Sequence, residues 1–252
     1  MGFGLLAVIG AAVLMALQSV MEDVPEPGEE VIEDGDSIAG SDYDDVINGD
    51  ASAQMIMPHS GDDLVNAGGG DDFVSDFPWD QDSVSTPAGL VNPDWDDDTI
   101  NGEGGNDRIL ATGGANLVDG GAGNDTVSTV DLHPDAPFAP DRVSGGGGAD
   151  WLIGDDGDTL SGNGATDFFT AIVDEPQDEV VTITDFDRGE TLEILLYDPS
   201  LLNPDGSAPE ADLRDTQDGV VVSVAGQDAV IFANSLARDL NGTIRVLDGL
   251  SL

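Results

Sequence analysis

The feature that leaves this chain least freedom is a spacing of nine. Lone apolar residues stand at Ile47, Ile56, Val65 and Val74, again at Ile100, Ile109, Val118 and Val127, and a third time at Val143, Leu152, Leu160 and Phe169. Within each block they are nine residues apart, except that the step from Leu152 to Leu160 is one residue short. Two positions before most of them is an aspartate and four before half of them a glycine, as in GGAGNDTVS at Gly120–Ser128. One apolar residue between polar neighbours, followed by a glycine-rich turn, reads as a three-residue strand with only its centre facing inward. Twelve such units in register predict stacked short strands and turns.

The turns carry the chemistry. Glycine adopts left-handed backbone conformations without Cβ strain, so several carbonyl oxygens can point at one spot, and the aspartate adds a carboxylate there. Hard oxygen donors of this kind suit calcium. A single GGxGxD would be no more than a turn with an exposed aspartate. Repetition reverses that reading, and the turn glycines singled out are Gly68, Gly70, Gly105, Gly121, Gly123, Gly146 and Gly148.

Over about Ser37 to Thr170 the sequence resembles the repeats-in-toxin, or hemolysin-type, calcium-binding family, whose unit is G-G-x-G-x-D-x-U-x. The resemblance implies an all-β fold, a right-handed parallel β-roll with two nonapeptides per turn. It also implies several calcium ions held between turns stacked on the same edge. One edge would then use Asp45, Asp63, Asp98, Asp141 and Asp158, with Asn116 in the series. The other would use Asp72, Asp107, Asp125, Asp150 and Asp167, with Gln54 standing first. Tyr43, Ala53, Asp96, Ala139 and Ala165 stand where a turn glycine is expected, a departure that weakens those turns.

Charge sets the conditions for folding. The 52 acidic residues against six basic ones give a formal net charge of -46, and all six basic residues are arginine. Such a surface excludes nucleic acid as a partner and opposes compaction. High acidity with few aromatics also fits a disordered tail, but the periodic apolar residues argue for a chain that folds once cations neutralise it. Small inward residues cannot bury a large core, so calcium must supply much of the stability. The chain has no cysteine, which removes disulfides and thiolate chemistry. Its two histidines, His59 and His133, lie beside prolines and outside any H-E-x-x-H, and no G-x-S-x-G is present, so no catalysis is expected.

Outside the repeats, Gly2 to Met21 is uncharged, and about 19 helical residues span roughly the 30 Å of a bilayer core. The expectation is a single transmembrane helix over 1–21, with a cleaved signal peptide as the competing reading. An acidic linker follows at 22–36, then the β-roll at 37–170 with loop insertions at 76–92 and 129–140, and a C-terminal β capping region at 171–252. That last region should form strands within Val180 to Leu196, a hairpin around Ala225 to Gln227 and a further strand in TIRVLDGL. Since weak acidic sites fill only where calcium is millimolar, the repeats belong on the periplasmic or extracellular side of a bacterial membrane. The function expected is that of an anchored accessory or scaffold subunit of a larger membrane complex. Type I secretion, for which many relatives carry a C-terminal signal, is the alternative.

Overall fold

The computed structural model describes residues 32–34, 36–41, 43–76, 96–131, 139–174, 179–233 and 242–249. The expected membrane helix at 1–21, most of the linker, and the bodies of both insertions lie outside the described residues. Among the described residues no helix is long and apolar enough to cross a membrane.

The strands follow the nine-residue beat. The first six are β1 (Ile32–Asp34), β2 (Ser37–Ala39), β3 (Val46–Asn48), β4 (Met55–Met57), β5 (Leu64–Asn66) and β6 (Phe73–Ser75). Then come β7 (Thr99–Asn101), β8 (Arg108–Leu110), β9 (Leu117–Ala122), β10 (Thr126–Ser128), β11 (Arg142–Gly147), β12 (Trp151–Gly154), β13 (Thr159–Gly164) and β14 (Phe168–Val173). The C-terminal part supplies β15 (Val181–Ile183), β16 (Thr191–Leu196), β17 (Ala211–Asp215), β18 (Gly219–Val224), β19 (Gln227–Ala233) and β20 (Thr243–Asp248).

From β2 to β16 successive strands alternate between two sheets. Even-numbered strands run parallel in sheet one, in the order β2-β4-β6-β8-β10-β12-β14-β16-β20, and odd-numbered strands run parallel in sheet two, from β3 to β15 and on to β19. Two repeats therefore complete one coil, which is the parallel β-roll. The register places the apolar residue of each strand beside that of the next coil, Ile56 beside Val74 and Val143 beside Leu160. All twelve counted apolar residues are buried and belong to one continuous core cluster. Ile38 of β2 occupies the same position one unit earlier, so the roll begins a strand before the first counted repeat.

Beyond β14 the geometry changes. Leu192, Ile194 and Leu196 of β16 all point inward, where a three-residue strand of the roll such as β3 offers one residue. Phe186 packs between Phe169 and Phe232, its ring centroid 6.0 Å from the first and 4.4 Å from the second. The C-terminal strands continue both sheets: β16 pairs with β14 and β15 with β13, both in parallel. The β18–β19 hairpin turns through Ala225 and Gly226, whose φ angles of 54° and 84° are those a two-residue type I′ turn requires. Strand β17 closes sheet two by an antiparallel pairing to β18.

Candidate metal centre

Because strands alternate between sheets, the turns alternate between two edges of the roll. Asp45, Asp63, Asp98, Asn116, Asp141 and Asp158 precede sheet-two strands on the first edge. Gln54, Asp72, Asp107, Asp125, Asp150 and Asp167 precede sheet-one strands on the second. Each series forms a ladder in which the backbone N–H of one rung donates to the side-chain Oδ1 of the next. On the first edge Asp45 donates to Asp63 and Asp63 to Asp98, both at 2.8 Å. Asp98 then donates to Asn116, Asn116 to Asp141, and Asp141 to Asp158. On the second edge Gln54 donates to Asp72, Asp72 to Asp107 and Asp107 to Asp125, each at 2.8 Å. Asp125 to Asp150 and Asp150 to Asp167 complete the row. The structure thus brings together all ten sequence-selected aspartates, five on each edge.

A parallel ladder runs beside it in the opposite direction. The N–H of Asn106 donates to Asp71 Oδ1, that of Asn124 to Asn106 Oδ1 and that of Ala149 to Asn124 Oδ1, so the residue before each ligand position ties its turn to the preceding one. Sequence reading passed over these residues because they look like ordinary polar turn positions.

The seven selected glycines all have positive φ, from 97° at Gly121 to 153° at Gly105. At Gly123 and Gly148 a Cβ would lie 1.4 and 1.5 Å from the carbonyl oxygen of the turn below, so backbone approach as well as φ demands glycine. Non-glycine residues also take positive φ at equivalent positions, Glu103, Asn163 and Ala165, with φ of 66°, 64° and 82°. Stacking on well-formed neighbours holds Ala165 in the turn despite its Cβ.

The second carboxylate oxygen is where the ladder is incomplete. Oδ2 of Asp72, Asp107, Asp125, Asp150 and Asp167 is buried and accepts no hydrogen bond among the described residues, although each residue is only 2% exposed. In four of these turns that oxygen sits against the glycine opening the same turn, where a Cβ would approach it to 2.6 Å at Gly102, 2.7 Å at Gly120, 2.5 Å at Gly145 and 2.2 Å at Gly162. Burial pushes the Asp107 and Asp150 carboxyls up to about 6, with the N–H groups of Asp72 and Asp125 pulling partly back and neighbouring aspartates adding to the rise. Asp72, Asp125 and Asp167 are raised for the same first reason. A buried anionic oxygen without a donor costs several kcal/mol in general, and a cation removes that cost.

Among the described residues no three acidic or imidazole groups converge on one point. Any ion here would be held by one or two carboxylates together with backbone carbonyls, which is within the six to eight oxygen ligands calcium accepts. A stack of parallel turns lined by carboxylates and glycine carbonyls defines a cation-binding β-roll. The RTX calcium-binding nonapeptide repeat matches this chain in four copies, at residues 33–53, 59–75, 94–127 and 139–169. The repeat region belongs to that calcium-binding family. Comparison with curated proteins found no match to the chain.

One further buried acid on the second edge escaped the sequence reading. Glu190 stands two residues before inward-facing Leu192, the same offset as aspartate to apolar residue in the repeats, and Thr191 pairs with Phe168 so that Glu190 follows Asp167 on the second edge. It is 4% exposed, and burial pushes its carboxyl up to about 7. The signal was present, but 23 residues separate Phe169 from Leu192 and glutamate replaces aspartate. Asp185 also closes the last second-edge turn, accepting from Gly162 N, Asn163 N and Ser161 Oγ.

Proposed function

We propose that this chain is a non-catalytic calcium-binding protein whose β-roll orders on calcium uptake, and that it works outside the cytoplasm as a secreted protein. The observation that carries this is the file of five buried, hydrogen-bond-free Oδ2 atoms on one edge. Sites assembled from isolated carboxylates and carbonyls are weak ones, suited to extracellular modules that meet millimolar calcium. The aspartates are engaged in ladders along the roll's edges instead of facing a cleft, which favours a structural role over catalysis. Far-UV circular dichroism in chelator and in millimolar calcium tests the reading: a large gain of β signal with calcium is expected, and identical spectra would overturn it.

A second reading rests on the uncharged run from Gly2 to Met21. In that case the roll is tethered to a membrane, with its repeats on the outer side, as an accessory of a larger complex. Fractionation separates the two. Full-length protein in culture supernatant supports secretion, whereas recovery in membranes that resists carbonate extraction supports the tether.

A further inference from the structure

We propose that the outward face of sheet two binds a polysaccharide strand bearing carboxylates, with Arg142 as the residue that takes the anionic group. The proposal goes beyond calcium binding, which concerns the turns at the edges, and asks only that the roll be folded. By strand alternation, the residues on either side of the inward Ile47, Val65, Ile100, Val118, Val143 and Leu160 point outward. Although the chain has 52 acidic residues, Asp119 is the single acid among these positions. The other outward residues are amides, hydroxyls, three aliphatic side chains and Arg142. Over β7 to β13 the face sinks into a shallow groove of about 340 Å³, whose lining includes Asn101, Leu117, Asp119, Arg142, Ser144 and Ser161.

Charge complementarity names the occupant. Arg214 and Arg245 pair with Asp228 and Glu193, whereas the exposed guanidinium of Arg142 has no carboxylate partner among the described residues. Asp119 beside it is engaged elsewhere, its Oδ1 accepting from Ser144 Oγ at 3.0 Å. An arginine fork left open in an acid-poor groove fits a carboxylate, which it can hold through two parallel hydrogen bonds. The groups around it are fixed in advance. Asn66 Nδ2 donates to Asn48 Oδ1 at 2.9 Å, Asn101 Nδ2 to Asn66 Oδ1 at 3.0 Å and Asn163 Nδ2 to Ser144 Oγ at 3.1 Å. Side chains already ordered lower the cost of binding. In-register strands repeat these amides and hydroxyls about every 4.8 Å along the roll, close to the advance of one sugar in an extended polysaccharide. Leu117, 52% exposed, offers an apolar surface to the C–H face of a ring. The acidic edges repel a densely charged polyanion, so a strand with carboxylates on alternate sugars suits the single arginine.

Isothermal titration calorimetry of the full chain tests this, in calcium sufficient to saturate its β signal in far-UV circular dichroism. The probe is a hexasaccharide alternating glucuronic acid and N-acetylglucosamine. Binding is expected, weakened about tenfold or more by Arg142→Gln, the scale of one lost charge-assisted pairing. Reducing the sugar carboxylates to alcohols should weaken it by a similar factor, and the two losses should not add, because they remove the same contact. Arg108→Gln is the control, since Arg108 is an exposed residue of sheet one, outside the groove. No binding of the hexasaccharide, equal binding of its reduced form, or equal weakening by Arg108→Gln overturns the proposal. Arg142 is exposed, so Arg142→Gln should fold at the wild-type calcium concentration, which separates a lost contact from a lost fold. A chain that gains no β signal with calcium fails the calcium reading before any sugar is added.

Discussion

At the scale of single residues, the turn glycines and aspartates do different work, and substitutions should separate them. Gly123 has φ of 150° and no room for a Cβ, which would lie 1.4 Å from Gly105 O. Gly123→Ala must push two turns apart, and a loss of about 3 kcal/mol or more is expected, measured as a rise in the calcium concentration needed for half-maximal folding. Ala165 is the opposite case. It bears a Cβ in a left-handed conformation, φ 82°, so Ala165→Gly should relieve about 1 kcal/mol and lower that midpoint. If Ala165→Gly destabilises the roll, unfolded-state entropy outweighs the strain at this position. The aspartate positions were legible because charge and spacing repeat together. Glu190 was not, because its link to Asp167 is a strand pairing across 23 residues and no spacing in the chain encodes it.

Each short strand contributes one inward side chain, so elements of the roll depend on what happens at their turns. With no cation present, protons are the alternative neutralising agent. Burial raises Asp107 and Asp150 to about 6 and Asp98 to about 7 in the folded state, against about 3.9 for an unfolded aspartate. A folded pKa above the unfolded one means the folded state binds more protons in between. The resulting stabilisation is complete below about pH 4 and disappears as pH rises through 6 to 7. Metal-free protein titrated from pH 8 to pH 5 should therefore gain β signal in far-UV circular dichroism, and calcium affinity should fall over the same interval. A metal-free spectrum independent of pH would contradict the burial of these carboxylates. The C-terminal elements obey other rules, since β16, β19 and the stacked Phe186 and Phe232 form an apolar core of ordinary kind. Phe232→Ala should cost about 3–5 kcal/mol, read as a lower denaturant midpoint in saturating calcium.

For the molecule as a whole, the decisive quantity is a net charge of -46. Monovalent salt screens such repulsion without binding, with a Debye length of about 8 Å at physiological ionic strength, whereas ions between turns neutralise carboxylates already in contact. Calcium should compact the chain sharply in small-angle scattering. Magnesium at the same concentration should leave it expanded, because it holds its waters and demands octahedral geometry at about 2.1 Å. Equal compaction by both ions would point to non-specific screening.

The nine-residue beat alone determined the short strands and their inward residues, because a repeat too short to bury anything by itself can only stack, while the alternation of turns between two edges was what the resemblance to the calcium-binding repeats implied. The spacing picked out the aspartates, and the resemblance sorted them onto the two edges. Tertiary structure decided the rest: that the C-terminal strands extend the same two sheets, that Glu190 follows Asp167 on the second edge, and which carboxylate oxygens find a donor. Those outcomes hinge on which hydroxyl or amide reaches a given oxygen across a turn of the roll, and a linear sequence does not contain that distance.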